Sequence, residues 1–386
     1  MADSSRHNLY YVPEVTYGTT PATPALTKIR HTGCNLGLSK NTVVSDEIRS
    51  DRQIADFRHG TKQTGGDVNT ELSFDSHADL IEALMCGTWS TPASPVTATT
   101  ISAAAADNSI NDSGAGLPVV AAGDVIQVKG FTGAGTTANA IMTVVSRTAS
   151  KIVVSGVTLV NDAAGESVTV TPAKMLKAGV TRRSFSVLRD FSDITTGRYH
   201  LFDGQEVNKM ALKVAPNAIV SADFSFVGQS LAISDSAPAS ATFPTPTTTS
   251  PMDSFTGAIR IGGVVVAVIT EVSLTLENGI QPRFVVGSAE TIRPSIGRSN
   301  LTGQLGLYFE DATLVNNFIN EDVVVPEFVL TDGAAGNSYL FNLPRIKFTG
   351  GQPDVKGQGP VMLTMPFQAI YDPTVATQLK IARIAA

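Results

Sequence analysis

The sequence predicts a mainly β protein with two tandem β-sandwich or barrel domains, each flanked by one helix, and a small inserted all-β module. Charged residues make up only 16% of the 386 residues, and the chain contains 33 glycines and 20 prolines. Few charges and many turn-forming residues favour strands joined by turns over a helical bundle. In addition, the two halves of the chain repeat the same order of alternating strands and helix.

The repeat is clearest where an alternating strand leads into a helix. In the first half Ser76 is predicted as the N-cap, and the apolar residues of the strand and the helical stripe are Val68, Leu72, Phe74, Ala78, Ile81, Leu84 and Met85. In the second half Asp311 takes the place of Ser76, 235 residues later, and the corresponding residues are Leu305, Leu307, Phe309, Leu314, Val315, Phe318 and Ile319. Alternating strands also resemble one another by chance, but the shared phase, cap and order favour a duplication.

Composition divides the chain into five segments. Residues 236–254 are rich in proline and threonine and are predicted as a linker. Residues 96–173 have their own strand pattern, with strands expected at 124–129, 140–147, 151–155 and 167–171, and are predicted as the inserted β module. The first domain is then formed by residues 1–95 and 174–235, and the second by residues 255–386.

Charge and cysteine content exclude several classes of protein. The net charge is −6, and like charges do not cluster. A surface that binds the phosphate groups of nucleic acid is therefore not expected. The two cysteines, Cys34 and Cys86, cannot form a disulfide framework, which is typical of synthesis in a reducing compartment. The N-terminus lacks the apolar stretch of a signal peptide, and the longest apolar run, residues 261–269, is too short to span a membrane.

No arrangement of residues predicts catalysis, and the sequence indicates neither a cofactor nor a metal. The five histidines do not pair at metal-ligand spacing, and His77 is expected to be a solvated residue of the first helical turn. The glycine-rich residues 130–135 lack the Lys-Ser/Thr pair of a phosphate loop and are expected to form a turn. The acids Asp75, Asp79 and Glu82 suit the start of a helix better than a catalytic group. We therefore expect no enzyme.

The longest charged stretch, residues 45–60, is predicted to belong to an interaction arm of residues 45–66, which is called the arm below. A solvated loop is the alternative, but long loops in compact domains are uncommon unless they are functional. Charges of both signs offer polar pairing, and interspersed apolar residues offer anchors. The residues predicted to make contacts are Asp46, Glu47, Arg49, Asp51, Arg52, Ile54, Asp56, Phe57 and Arg58.

These features resemble the bacteriophage tail tube proteins, the major tail proteins of long-tailed phages. The resemblance lies in residues 10–21, in the arm, in the strand and helix start at 75–84, and in the ending at 360–372. It implies β-sandwich or barrel domains that polymerise into stacked rings around a DNA channel in the virion tail. The tail is expected to be flexible and non-contractile, with assembly in the host cytoplasm. The inserted module and the second copy depart from the usual one-domain hexamer.

The resemblance also implies partners and an arrangement of surfaces. Two domains per chain favour rings of three chains with pseudo-six-fold symmetry, and a hexamer is the alternative. The arm is expected to stack rings, with residues 287–300 as its counterpart in the second half, and the module is expected to lie outside the tube. Tape measure, tail tip and terminator proteins are the other expected partners, and genomic DNA passes through without specific binding.

Strand alternation predicts the lining of the channel. If the large apolar residues face the core, the residues between them face the other way, and these are Asn35, Glu71, Asp223, Glu271, Ser273, Glu277 and Gln304. The set contains four acids and no base, so it would repel phosphate and let DNA slide. The alternative is that some of these strands belong to an outer sheet and meet water.

Two other classes of β-rich protein compete with a tail tube. A bacterial surface or pilus-like interaction protein would share the acidic, threonine-rich composition, but the missing signal peptide disfavours it. A carbohydrate-binding module would be expected to expose aromatic residues, whereas this chain has 6% aromatic residues and one tryptophan, Trp89.

Overall fold

The computed structural model describes residues 2–254, 257–333, 336–355 and 357–385, so the predicted start of the second domain at residue 255 lies outside the described residues. After a short 3-10 turn at Ser4–Arg6, the first part of the chain forms β1 (His7–Pro13), β2 (Thr27–Lys28), β3 (Gly33–Cys34), β4 (Gly37–Val44), β5 (Phe57–Asn69) and α1 (Ala78–Leu84). The prediction of a mainly β fold is confirmed, because strands dominate from this segment onward.

The inserted module is an all-β unit with its own core. It comprises β6 (Val96–Ala98), β7 (Ile101–Ala104), β8 (Ser109–Asp112), β9 (Val125–Lys129), β10 (Ile141–Arg147), β11 (Lys151–Ser155) and β12 (Val168–Pro172), paired in the order β6-β12-β9-β10-β11-β8-β7. The four strands expected from the sequence are β9 to β12, each within about one residue of its predicted bounds. The first three strands were missed because they are short and rich in alanine, serine and threonine, so alternation is weak there.

The rest of the chain adds strands on both sides of the linker. After the module come β13 (Lys174–Lys177), β14 (Phe185–Phe191), β15 (Tyr199–Val214), β16 (Ser221–Gly228) and β17 (Ser230–Ser234). The second half contains β18 (Ala258–Ile261), β19 (Val264–Val265), β20 (Ile269–Glu277), β21 (Gln281–Arg283), β22 (Ile292–Ser295), β23 (Asn300–Tyr308), α2 (Thr313–Ile319), β24 (Pro326–Thr331), β25 (Ser338–Asn342), β26 (Ile346–Phe348), β27 (Pro353–Asp354), β28 (Met362–Ala369) and β29 (Lys380–Ile384).

One continuous sheet runs through both halves, and we call it the central sheet. Its strands follow the order β4-β5-β16-β15-β20-β23-β28, and β28 also pairs with β26 and β27. The halves join where β15 pairs with β20, antiparallel, from Lys209 opposite Glu277 to Val214 opposite Val272. The joint between the halves is therefore a backbone ladder within a single sheet.

Two further groups of strands cover the central sheet. In the first half β2, β1, β14, the N-terminal part of β15 and β17 pair with one another. In the second half the order is β13-β29-β25-β24-β18-β19, so β13, which follows the module, pairs with the last strand of the chain. The main apolar core lies between these layers, with large buried side chains such as Phe224, Phe341 and Phe367.

The inserted module packs on the second of these covering layers. Its Val125 and Ile141 are buried against Val329 and Leu340. One polar contact also crosses this junction, where Arg260 Nη2 donates to the carbonyl of Ile141 over 2.9 Å. The module is thus attached to the side of the molecule that faces away from the central sheet.

The start of α1 differs from its prediction. The N-cap is His77, and Ser76 instead shares hydrogen bonds with Ser73 over 2.7 Å and with Thr247 of the linker over 2.5 Å. Asp75 has a φ of 63°, so the chain turns sharply just before the helix. In α2 the prediction is also displaced by one residue: the N-cap is Ala312, and Asp311 lies just before it, where its Oδ1 accepts the backbone N–H of Thr313 over 2.8 Å.

His77 was predicted to be solvated, and this prediction is wrong. Its side chain is fully buried, and its ring lies 5.9 Å from that of Phe224. Nε2 is 3.3 Å from the carbonyl oxygen of Arg30, and Nδ1 has no hydrogen-bond partner among the described residues. Burial lowers the pKa of His77 to about 4, so the ring is neutral at neutral pH.

Candidate assembly and channel surfaces

The seven residues predicted to line a channel all lie on one face of the central sheet. Along one row of cross-strand partners, Glu71 bridges Ser221, followed by Lys213, Ser273 and Gln304. In a second row Asn35 hydrogen bonds with Asp67, and the row continues through Ser225 and Lys209 to Glu277. Asp223 pairs with Ala211 between these rows, and Glu271 pairs with Gly306 beyond them. Because side chains alternate, the opposite face carries the core residues.

The charge of this face differs from the prediction. Sequence reasoning found four acids and no base, but the sheet adds Asp67, Lys209 and Lys213 to the same face. Lys213 Nζ lies 3.2 Å from Glu271 Oε1. From β5 to β23, five carboxylates against two ammonium groups leave a formal charge of −3 per chain, and Lys347 and Asp354, on the same face at the β26–β27 edge, cancel each other. The two lysines were missed because a register shift between Val207 and Lys209 interrupts the alternation along β15.

The arm is the outer part of a projecting β-hairpin, in which residues 45–56 form the connecting loop and residues 57–66 belong to β5. Strands β4 and β5 pair from Gly37 opposite Gly65 to Val44 opposite Phe57, and the last residue of β5 paired to β16 is Thr64. The seven residues of β5 before Thr64 therefore extend past the central sheet by about 23 Å. We call this element the β4–β5 hairpin.

Apolar side chains near the tip of the β4–β5 hairpin are exposed. The exposed fractions are 98% for Ile48, 72% for Ile54 and 51% for Phe57. Val43, next to the tip in β4, is 60% exposed. Exposed apolar groups on a projecting element are typical of a surface that a partner covers.

Charges at the tip are partly paired within the hairpin. Arg49 lies 2.7 Å from Asp51, and Arg58 lies 3.0 Å from Asp56. Hydrogen bonding to Arg49 lowers the pKa of Asp51. Arg52 has no carboxylate partner among the described residues and adopts a φ of 61°, a conformation that few residues other than glycine adopt. The other two predicted contact residues, Asp46 and Glu47, also have no basic partner in this part of the structure.

The predicted counterpart of the arm, residues 287–300, is shorter and folds back. It comprises the second part of the β21–β22 turn, β22 itself and the segment up to β23, and the turn contacts the base of β5 through an ion pair of 2.8 Å between Lys62 and Glu290. The backbone N–H of Lys62 also donates to the carbonyl of Ala289 over 2.7 Å. Val286 at its tip is fully exposed.

The glycine-rich residues 130–135 form a turn, as predicted. Their backbone N–H groups are directed at carboxylates of the same module, with Gly135 donating to Asp162 over 2.6 Å and Thr132 donating to Glu166 over 2.8 Å. These contacts occupy the N–H groups that a phosphate would otherwise bind. Within the described ranges, no group of three or more His, Cys, Asp or Glu residues is arranged to hold a metal ion.

Two histidines to which the sequence gave no role, His7 and His31, form a partly buried row of hydrogen-bonded side chains with Arg189. Arg189 Nε donates to His7 Nε2 over 3.1 Å, and His7 Nδ1 lies 2.9 Å from His31 Nε2. Burial, with a smaller contribution from Arg189, lowers the pKa of His7 to about 4. These hydrogen bonds connect β14 and β1 to the segment that leads into β4.

Comparison with known proteins identifies the family of the chain. A protein-family model described as phage tail tube protein matches residues 4–369. A search of curated proteins found no match. In the part of the chain that the structure describes, no helix has the length and apolarity needed to cross a membrane. The chain, a structural β-sandwich protein of the bacteriophage virion, therefore belongs to the phage tail tube protein family.

Proposed function

We propose that three copies of this chain form a ring, that rings stack into the tail tube, and that genomic DNA passes through the channel during ejection. The observation that carries this proposal is the central sheet, which continues from one half of the chain to the other without a break. A sheet already shared by two halves can be extended by further copies, and closing it into a ring removes its open edges.

The internal joint indicates how neighbouring chains would meet. The first half contributes β4, β5, β16 and β15, and the second contributes β20, β23, β28 and the edge formed by β26 and β27. Inside one chain, β15, the last strand of the first group, pairs with β20, the first strand of the second group. The equivalent contact between chains places residues 346–354 of one copy beside β4 of the next, where β4 has no second partner strand among the described residues. Eight strand positions per chain then give a sheet of 24 strand positions around a ring of three chains.

The polar face of the central sheet would line the channel. A formal charge of −3 per chain becomes −9 per ring of three, and the DNA backbone is also negative. The electrostatic field extends only about 8 Å at physiological salt, so this repulsion acts on DNA that is close to the wall. An acidic wall would keep DNA from adhering, and the inserted module, attached behind the opposite layer, would lie outside the tube.

Other partners follow from an open-ended tube. The projecting hairpins at one end and the uncovered strand ends at the other would each need a partner at the tube termini, which suits tail tip and terminator proteins. A tape measure protein would occupy the channel before DNA does. Assembly in the host cytoplasm agrees with two free cysteines, one of them buried.

Electron microscopy and native mass spectrometry of the purified full chain test the proposal together. We expect hollow tubes, and rings released from them should have the mass of three chains. Rings of six chains would replace the three-chain arrangement with a hexamer in which only one half of each chain lines the channel. Protein that remains monomeric at all concentrations would contradict the tube and favour a surface interaction protein.

A further inference from the structure

We propose that the β4–β5 hairpin of one ring docks into an apolar cup on the second half of a chain in the adjacent ring. This inference rests on the proposed function and specifies the surface that receives the hairpin. The partner is a second copy of this chain.

The cup is a cavity of about 420 Å³ between β19, the end of β23 and α2. Its apolar lining includes Val265, Leu307, Tyr308 and Leu314, of which Val265 is 58% exposed and Tyr308 44%. Two carboxylates, Glu310 and Asp311, line the same cavity. The cup therefore combines an uncovered apolar floor with an acidic side.

The cup lies at the end of the central sheet opposite to the β4–β5 hairpin. Strands β20 and β23 pair from Glu277 and Asn300, which lie at the hairpin end, to Ile269 and Leu307 at the other end. A stacked ring therefore brings the hairpin of one chain toward the cup end of the next. The overhang of about 23 Å compares with about 30 Å for a nine-residue strand, so the tip reaches well into the adjacent ring.

The corresponding end of the first half is already covered. There the linker residue Met252 is fully buried, its N–H donates to Leu72 over 2.8 Å, and its carbonyl accepts from Val220 over 2.9 Å. Most side chains of α1 are buried, whereas none of the described side chains of α2 is. Each chain thus has one long hairpin and one open cup, together with one short hairpin and one closed cup. Long hairpins and open cups match one to one.

Charge and apolarity are complementary between the two surfaces. Ile54 and Phe57 offer exposed apolar groups to the floor of the cup. Arg52, the arginine at the tip without a carboxylate partner among the described residues, suits the side formed by Glu310 and Asp311. The unfavourable backbone conformation of Arg52 is then retained for a contact that forms only on stacking.

Engineered cysteines test the contact directly. The double variant Ile54→Cys with Tyr308→Cys should form tubes and, on mild oxidation, a ladder of disulfide-linked chains. Ile54→Cys with Val180→Cys, a pair that includes a more accessible site outside the cup, should form tubes without the ladder, as should the parent chain with its own Cys34 and Cys86. Tubes of the first variant that give no more crosslinking than the control would overturn the inference while leaving the proposed function intact.

Charge reversal gives an independent readout. Arg52→Glu and Glu310→Arg should each lower the yield of tubes about tenfold, and the double variant should recover most of it. Lys129→Glu in the inserted module is the matched control and should have no effect. Single variants with full yield, or a double variant no better than the singles, would overturn the assignment. A parent chain that never forms tubes would instead contradict the proposed function.

Discussion

Lowering the pH from 7.5 to 4.5 should destabilise the fold through His77. The ring is fully buried, its Nδ1 has no partner among the described residues, and its pKa falls from 6.5 to about 4. On acidification the unfolded chain takes up the His77 proton at a higher pH than the folded chain does. The contribution of neutral His77 to stability is therefore fully present above pH 6.5 and is lost as the pH falls toward the pKa of the folded state. At pH 4.5 this one group lowers the free energy of unfolding by about 2.5 kcal/mol. The figure follows from about 1.36 kcal/mol for each pH unit below the unfolded-state pKa of 6.5.

Urea unfolding followed by tryptophan fluorescence measures this loss. Trp89 is the one tryptophan of the chain, and its indole N–H donates to the carbonyl of Ala78 over 3.2 Å, next to His77. His77→Leu should remove about 2.5 kcal/mol from the difference in unfolding free energy between the two pH values. The exposed His59 provides the control, and His59→Leu should leave that difference unchanged. His7 titrates in the same direction and remains in both proteins. An equal pH difference in the parent chain and His77→Leu would refute the reasoning.

Three further predictions concern the channel, the module and the linker. Glu71→Lys with Glu277→Lys changes the formal charge of the channel face from −3 to +1 per chain, so phage carrying it should assemble tails but eject DNA more slowly, above all at low salt; unchanged ejection kinetics would contradict the lining. Replacing residues 96–173 by a short flexible linker should still allow tube formation under the electron microscope, and a folded, soluble deletion variant without tubes would place the module in the assembly interface. Met252→Ala should lower the unfolding free energy in urea by about 2–5 kcal/mol, whereas Ile48→Ala at the hairpin tip should change it by about 0.5 kcal/mol or less; equal effects would show that the linker does not close the first cup.

Local patterns in the sequence predicted much of the fold because they are set by neighbouring residues. The two helices begin 235 residues apart in the structure, at Ala78 and Thr313, the spacing that the sequence repeat indicated. Alternation of apolar and polar residues also placed all seven channel candidates on one face of a sheet, since a strand directs successive side chains to opposite faces. The arm was recognised by its charge, although its hairpin geometry was not.

Contacts between segments that are far apart in the sequence could not be predicted from local patterns. These contacts account for the main differences between the predicted and the observed structure. The ladder between β15 and β20 joins residues about 60 positions apart, and it adds Lys209 and Lys213 to the acidic face. His77 is buried because the segment containing Arg30 and the strand carrying Phe224 cover it, and neither is a neighbour in sequence. The linker was predicted from its prolines, but its closure of one cup depends on Met252.

A helical reconstruction of the purified tube by cryo-electron microscopy tests the central claim most directly. We expect three chains per ring and a wall in which residues 346–354 of one chain pair with β4 of the next. The face carrying Glu71, Asp223 and Glu277 should point into the channel. Six chains per ring, or a channel lined by the opposite layer of the molecule, would contradict it.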